Sequence, residues 1–289
     1  MTGCTRFAPT PSGYLHEGNA ANFMLIARLA RIEGLRIRLR IDDLDRSRFR
    51  EAYLQDIFAV LNWMGLGWDE GPRDIDDFLR NYSQHHRLES YENLLSELRA
   101  RGAVYACRCT RSARGSALSF CSSDCAVRGY SLDDPDRVWL CRVNPGFETV
   151  MNDFEGDPIT IRFSERGIGD FVVRRRREST SNRRLPSYQL ACVVDDVLDG
   201  TTLIVRGADL FDSSLRQLYL AHCLDLRSFT AVRFIHHELL LDPRQQKLSK
   251  SAGNSGGFES SLLKKWATAG ALEAALPIHE WGRNLGLSP

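Results

Sequence analysis

The start of the chain contains the feature that most constrains the fold, a strand that passes through a sharp turn into a helix. Arg6 to Ala8 can end a strand, and the segment Pro9 to Gly13 forces a turn. The following apolar residues recur at helical spacing up to Gly34, namely Ala20, Phe23, Met24, Ala27 and Ala30. This strand–turn–helix unit predicts an α/β fold.

Three residues at the beginning of this helix indicate a phosphate site, namely His16, Gly18 and Asn19. Backbone N–H groups and the positive end of the helix dipole favour a phosphate there. Gly18 lets a nucleotide approach the backbone, and the imidazole and amide groups add donors. Taken alone, however, a His-x-Gly sequence is more often only a turn before a helix.

A lysine- and serine-containing segment lies near the other end of the chain, at residues 247–251. Lys247 and Lys250 supply two ammonium groups, which suit a triphosphate whose α-phosphate gains charge during displacement. Such a loop is by itself usually only solvated. The order, spacing and flanking residues of the two segments together predict one ATP site for adenylate formation. In this site His16, Asn19, Lys247 and Lys250 stabilise the charge.

A strand is predicted directly after the first helix. Its apolar positions alternate with three arginines and are Leu35, Ile37, Leu39 and Ile41. The strand brings Asp42 and Asp43 to its carboxyl end. Because ligands bind beyond the carboxyl ends of strands in open α/β sheets, these carboxylates are candidates for a binding site.

The remaining pattern predicts an insertion between two halves of a nucleotide-binding fold. Helical patterns occur at about 51–63 and 80–100, and the regular pattern weakens after a short strand at 103–105. The expected segments are a first half at 1–105, an insertion at 106–165, a second half at 166–235, and a C-terminal region at 236–289 with the lysine loop and helices.

Two cysteine pairs within the expected insertion predict a structural zinc site. Cys107 and Cys109 are followed closely by Cys121 and Cys125, a spacing at which four thiolates can bind one tetrahedral ion. The alternative is two pairs of buried thiols or an oxidation artefact, although a cytosolic chain should not depend on disulfides. The other cysteines are isolated and are expected to be small buried hydrophobic residues: Cys4, Cys141, Cys192 and Cys223.

Four further blocks follow one another in a fixed order. They are Arg6 to Gly13 with Leu15-His16, Leu39 to Asp45, Tyr188 to Asp196, and Val205 to Leu210. Together with residues 247–251 they closely resemble the class I aminoacyl-tRNA synthetases, whose signatures are His-Ile-Gly-His and Lys-Met-Ser-Lys-Ser. Within that family the chain is similar to the glutamyl branch. The resemblance covers roughly residues 5–255.

This resemblance implies a Rossmann-type parallel sheet with a zinc-bearing insertion and a short helical C-terminal region. It also implies that the α-carboxylate of L-glutamate attacks the α-phosphate of ATP, with Mg²⁺ carried by the nucleotide and no protein nucleophile. ATP would be bound by His16, Gly18, Asn19, Lys247 and Lys250. Glutamate would be bound by Arg6, Phe7, Ala8, Pro9, Thr10, Asp42, Tyr188 and Arg206.

Three positions affect what this resemblance implies for the site. Asp42 stands where the family usually has glutamate, which keeps the charge but shortens the side chain, so amino-acid specificity is open. Cys121 stands where the family has a tyrosine ligand, and a thiolate is the better ligand for zinc. Arg206 could form an ion pair with Asp209 or Asp212 instead of binding a substrate carboxylate.

The expected acceptor depends on the C-terminal part of the chain. Residues 252–289 are too few for the anticodon-binding region of a full glutamyl-tRNA synthetase. The resemblance therefore extends to truncated paralogues that attach glutamate to the queuosine base in the anticodon of tRNA(Asp). The alternatives are a minimal glutamyl-tRNA synthetase, a non-catalytic tRNA-binding paralogue, or an adenylate-forming ligase for a small molecule or carrier protein.

Composition agrees with a cytoplasmic enzyme, and the chain is expected to act as a monomer. No apolar run is long enough for a membrane span, and the first residues do not resemble a signal peptide. The net charge of +1 does not itself indicate nucleic-acid binding, so a tRNA surface requires an uneven distribution of charge. The basic stretch Arg174 to Arg177, with Arg183 and Arg184, is either a solvated loop or a contact with RNA phosphates.

Overall fold

The computed structural model describes residues 3–109, 124–152, 157–178, 183–240 and 261–285. The helices are α1 (Glu17–Glu33), α2 (Glu51–Trp63), α3 (Ile75–Asp77), α4 (Leu88–Ala100), α5 (Phe163–Arg166), α6 (Tyr188–Leu198), α7 (Phe211–Cys223), α8 (Arg227–Thr230), α9 (Leu262–Lys265), α10 (Ala269–Ala275) and α11 (Ile278–Asn284). The strands are β1 (Cys4–Phe7), β2 (Arg36–Leu39), β3 (Val104–Cys107), β4 (Val138–Cys141), β5 (Glu148–Asn152), β6 (Pro158–Arg162), β7 (Phe171–Arg177), β8 (Arg184–Pro186), β9 (Leu203–Gly207) and β10 (Arg233–His237). Within these ranges no helix is both long and apolar enough to cross a membrane.

Two parallel strand pairs lie next to each other. β1 pairs with β2, and β9 pairs with β10 so that Arg206 lies opposite His236. The pairs meet where the Cys4 carbonyl accepts a hydrogen bond from Thr202 N at 2.8 Å. The strand predicted after the first helix is therefore present as β2.

The predicted first helix is confirmed as α1, and both of its ends have clear physical causes. His16 accepts a hydrogen bond from Gly18 N through its side chain, while its own N–H donates to Asn19 Oδ1. The helix ends at Gly34, whose φ of 65° is the left-handed conformation that glycine adopts without penalty. The helix predicted at 51–63 is also present, as α2.

The helix predicted at 80–100 is shorter than expected, because α4 begins only at Leu88. Just before it, the buried Asp43 carboxylate accepts hydrogen bonds from Ser83 Oγ at 2.7 Å and Gln84 N at 2.8 Å. The Asp43 side chain thus binds Gln84 N, a backbone donor that a continuous helix would pair with one of its own carbonyls. The residues before Leu88 form short π-helical and 3₁₀ turns instead.

A four-stranded antiparallel sheet in the order β3-β4-β7-β8 lies in the region of the expected insertion, together with the hairpin β5–β6. β7 pairs with β4, and β8 pairs with β7. The sheet therefore extends from Val104 to Pro186, on both sides of the boundary expected at residue 165. The division of the chain into domains stays a prediction.

The C-terminal helices pack against α1. Trp266 Nε1 donates a hydrogen bond to Glu17 Oε1 at 3.3 Å, and Arg28 Nη1 donates to His279 Nδ1 at 3.1 Å. Trp281 of α11 is buried in the same apolar cluster as α1. The helical C-terminal region therefore supports α1 along its length.

Candidate active site

A cavity of ≈ 440 Å³ lies at the carboxyl ends of β1, β2, β9 and β10. The predicted substrate residues that line it are Arg6, Ala8, Pro9, Thr10, His16, Gly18, Asn19, Asp42, Tyr188 and Arg206. Phe7 is fully buried instead, and its ring packs on Phe23 with centroids 5.3 Å apart. Lys247 and Lys250 lie outside the residues that the structure describes.

The amino end of α1 forms one side of the cavity. Because His16 Nδ1 accepts a hydrogen bond from Gly18 N at 3.1 Å, the neutral ring carries its proton on Nε2 and remains a donor. A Cβ atom at Gly18 would come within 2.9 Å of His16 Cε1, so only glycine lets the ring lie this close to the backbone. The backbone donors and the helix dipole make this end suitable for a phosphate.

A buried network of charges lies beside the part of the cavity that is predicted to bind the amino acid. Asp196 Oδ1 accepts hydrogen bonds from Arg6 Nε at 2.9 Å and from Arg40 Nη1 at 2.8 Å. Burial alone would raise the pKa of Asp196, but attraction to Arg40 and Arg6 lowers it to about 2. Asp196 is therefore ionised at neutral pH and holds both guanidinium groups in place.

Asp42 is also buried, but its charge is less well stabilised. Burial raises the pKa of Asp42 to about 6, although Arg40 opposes this by donating from Nε to Asp42 Oδ1 at 2.8 Å. The nearby carboxylate of Asp195 adds to the increase. Asp42 is thus a carboxylate that a substrate ammonium group would stabilise further.

Arg206 is held by neutral partners. Its Nη1 donates to Gln217 Oε1 at 2.9 Å and to Ser214 Oγ at 3.3 Å. Its Nη2 is buried and has no hydrogen-bond partner among the described residues. No described carboxylate, including Asp209 and Asp212, forms an ion pair with Arg206, so the guanidinium remains available to an acidic ligand.

The cavity also contains residues that sequence reasoning missed. Arg40, Asn22 and His237 line it. His237 Nε2 lies 3.2 Å from Asn22 Oδ1, and its ring stacks on Trp281 with centroids 4.4 Å apart. His237 is the last residue of β10, so its place at the carboxyl end of a parallel strand was the available signal.

Three of the four predicted zinc ligands come together away from this cavity. The sulfur atoms of Cys107, Cys109 and Cys125 all lie within 4.8 Å of one another, while Cys121 is outside the described residues. The Cys109 and Cys125 sulfurs are 3.9 Å apart, close to the ~3.8 Å edge of a tetrahedron with Zn–S bonds of about 2.3 Å. Cys109 N donates to Cys107 Sγ at 3.4 Å. The arrangement fits a zinc ion.

The basic stretch on β7 and β8 is largely engaged within the protein. Arg174 pairs with Glu92 at 2.7 Å, and Arg177 lies 3.3 Å from Asp136. Arg184 Nη1 donates to a backbone carbonyl at 2.9 Å. These arginines therefore bind their own sheet and its neighbours, which weakens the interpretation of this stretch as an RNA contact.

Comparison with known proteins identifies a catalytic domain. Residues 4–113 and 150–269 match the family described as tRNA synthetases class I (E and Q), catalytic domain. The glutamyl-Q tRNA(Asp) synthetase of Symbiobacterium thermophilum is 37% identical over 269 residues, which cover 86% of this chain and 78% of that protein. Glutamate–tRNA ligase 2 of Syntrophus aciditrophicus is 33% identical over 264 residues, which cover 86% of this chain and 52% of that protein.

The fold is also similar to a solved structure. The glutamate–tRNA synthetase of Elizabethkingia anophelis superimposes with a TM-score of 0.67 at 23% sequence identity. The superposition covers 89% of this chain and 54% of that protein, so the chain spans about half the length of this structural relative.

Proposed function

This chain belongs to the class I tRNA synthetases of the glutamate and glutamine group, and from that membership we propose its mechanism and its acceptor. It is an ATP-dependent glutamyl ligase. We infer that the acceptor is the queuosine base in the anticodon of tRNA(Asp), in agreement with the name of the Symbiobacterium relative. We also propose that the enzyme acts in the cytoplasm. The observation that carries the proposal is a single cavity that joins the amino end of α1 to Arg6, Asp42 and Arg206.

Glutamate recognition follows from the charges around the cavity. Arg206 binds the side-chain carboxylate, because its buried Nη2 lacks an acceptor among the described residues. Asp42 binds the α-ammonium group, which compensates for its poorly stabilised charge. Arg6 is oriented by Asp196 and attracts the substrate carboxylates. The α-carboxylate then faces the phosphate site at α1.

Adenylate formation needs only alignment and charge stabilisation. An oxygen of the α-carboxylate forms a bond to the α-phosphorus of ATP, the bond to the bridging oxygen breaks, and pyrophosphate leaves with its Mg²⁺. His16, Asn19 and the amino end of α1 stabilise the phosphate charge, and Lys247 and Lys250 are proposed to assist. The glutamyl group then passes to a nucleophile on the tRNA.

We also propose a structural zinc ion in the insertion, bound by Cys107, Cys109, Cys121 and Cys125. The support is the tetrahedral spacing of the described thiols. Zinc would supply fixed geometry and no chemistry to the reaction. We propose that the two parallel strand pairs together form the Rossmann-type sheet, that an insertion separates the two halves of this nucleotide-binding fold, and that the enzyme is a monomer.

The activation step is tested by pyrophosphate exchange into ATP. We expect exchange with L-glutamate in the absence of tRNA, and Lys250→Ala should lower it by roughly 10²-fold, because one donor to the developing charge is lost. Unchanged exchange in this variant would contradict the role of the lysine segment. Absence of exchange in the unmodified protein would indicate a non-catalytic tRNA-binding paralogue.

The acceptor is tested with labelled glutamate and three tRNA preparations. We expect transfer to queuosine-containing tRNA(Asp) even after its 3′-terminal adenosine is removed, and no transfer to tRNA(Asp) that lacks queuosine. Good charging of intact tRNA(Glu), lost on trimming, would instead identify a minimal glutamyl-tRNA synthetase. Exchange without transfer to either tRNA would favour a ligase that acts on a small molecule or carrier protein.

A further inference from the structure

The partners of Arg206 differ from those of the other arginines in the cavity. Arg6 and Arg40 both donate to the ionised carboxylate of Asp196. Arg206 donates instead to a hydroxyl and an amide, and its guanidinium carbon lies 5.6 Å from the centroid of the Phe234 ring. Only 4% of Arg206 is exposed. Its charge is therefore buried without a carboxylate at ion-pair distance among the described residues, and Asp196 attracts it only from farther away, so an arriving anion would stabilise it further.

Ser214 links the Arg206 guanidinium to a second neutral side chain, His236. Its hydroxyl oxygen accepts a hydrogen bond from Arg206 Nη1, and it lies 2.8 Å from His236 Nε2 and 3.2 Å from the Leu210 carbonyl oxygen. Burial, reinforced by repulsion from Arg206, lowers the pKa of His236 to about 3, so this ring is neutral at physiological pH.

Gln217 is the other neutral partner of Arg206, and it contacts this arginine from outside the cavity. It is fully buried and does not line the cavity, and its carbonyl oxygen must face Arg206, because the guanidinium is only a donor. A glutamate side chain has nearly the same shape as glutamine. The substitution Gln217→Glu would therefore place a negative charge 2.9 Å from Arg206 without changing the volume of the side chain.

We propose that Gln217 and Ser214 are positioning residues that orient Arg206 without neutralising it, and that they thereby make the site selective for a side-chain carboxylate over a side-chain amide. The proposal rests on the function proposed above, in which Arg206 binds the glutamate side chain. Glutamine can accept a hydrogen bond from Arg206 but leaves the buried charge without a carboxylate at ion-pair distance, whereas glutamate supplies one.

The test compares kcat/KM for L-glutamate and L-glutamine in pyrophosphate exchange by the full-length protein. Gln217→Glu should lower the glutamate-to-glutamine ratio by about tenfold or more, because the charge of Arg206 is already compensated. Gln217→Met removes the acceptor but adds no charge. It should raise the KM for glutamate by about two- to tenfold, with little change in kcat or in the ratio.

Gln55→Glu is the matched control, since it makes the same chemical change on the exposed side of α2 and should leave the ratio unaltered. A ratio that is the same in Gln217→Glu as in the unmodified protein overturns the proposal. An unchanged KM in Gln217→Met overturns it as well, even where Gln217→Glu does not fold. Absence of glutamate-dependent exchange in the unmodified protein is a different result, which defeats the proposed function itself.

Discussion

At the scale of single residues, Asp42 has the most informative environment. It lies in the cavity with Arg40 as its charged hydrogen-bond partner, yet burial raises its pKa to about 6. The carboxyl is therefore charged above pH 6 and becomes protonated as the pH falls below that value. A protonated Asp42 cannot attract the substrate ammonium group, so glutamate binding should depend on pH in this range.

The expected pH dependence can be measured in the exchange reaction. The KM for L-glutamate should rise as the pH falls through about 6, and Asp42→Asn should give a higher KM that no longer changes across this range. Circular dichroism at each pH would establish that the protein remains folded. Persistence of the inflection in Asp42→Asn would assign it to a different group.

At the scale of secondary-structure elements, one residue of the α1 amino end, His16, both caps the helix and lines the cavity. His16 caps the helix through Nδ1 and lies in the cavity. His16→Ala should lower the free energy of unfolding by about 1 kcal/mol through loss of the cap. It should also lower exchange by roughly 10²-fold through loss of a donor to the phosphate. Urea denaturation and pyrophosphate exchange would measure the two effects.

Thr268→Ala provides the matched control for this prediction. Thr268 caps α10, where its side chain accepts a hydrogen bond from Ala271 N at 3.1 Å, and it does not line the cavity. The stability of this variant should fall by a similar amount, while exchange should be retained. Equal losses of activity in the two variants would mean that His16 acts only as a cap.

The sequence predicted the secondary-structure elements whose ends and faces are determined by neighbouring residues. Gly34 ends α1, and the regular apolar pattern of 51–63 matches α2. The helix predicted at 80–100 was too long, because the buried carboxylate that interrupts it belongs to Asp43. This residue is 41 positions away from Gln84 in the chain. Local patterns carry no information about such a partner.

The same distinction between local and long-range causes applies to the candidate site. The polar residues at the amino end of α1 and at the carboxyl ends of the strands could be found because their positions follow from the pattern of elements. The pairing of Arg40 with Asp196 could not, because it joins residues 156 positions apart. The neutral partners of Arg206 were missed because Ser214 and Gln217 lie within the regular pattern of a helix and look like ordinary polar positions.

At the scale of the whole molecule, the thiol cluster joins two separate segments of the chain. Cys107 is the last residue of β3, whereas Cys125 lies in a short 3₁₀ turn beyond the undescribed residues 110–123. The buried apolar residues around these cysteines form a small cluster of their own. A bound metal would therefore stabilise a region that has little hydrophobic core.

We expect about one zinc ion per chain in the purified protein, and its loss in Cys107→Ser or Cys125→Ser. Because structural zinc contributes an apparent binding free energy of roughly 10 kcal/mol, these variants should melt at lower temperature or aggregate. Metal analysis and thermal denaturation would measure both outcomes. Cys223→Ser, outside the cluster, should keep its zinc. Metal-free protein with an unchanged melting temperature would contradict the prediction.

The contact between Arg6 and Asp196 also has a consequence for biosynthesis. These residues are 190 positions apart, so a ribosome that adds about 5–20 residues per second needs about 10 to 40 s to progress from one to the other. During that interval Arg6 and Arg40 have emerged, or are emerging, without the carboxylate that holds them. The buried charge network beside the cavity therefore cannot form in the nascent first half, and Arg6 and Arg40 gain this carboxylate only when Asp196 in α6 has left the exit tunnel.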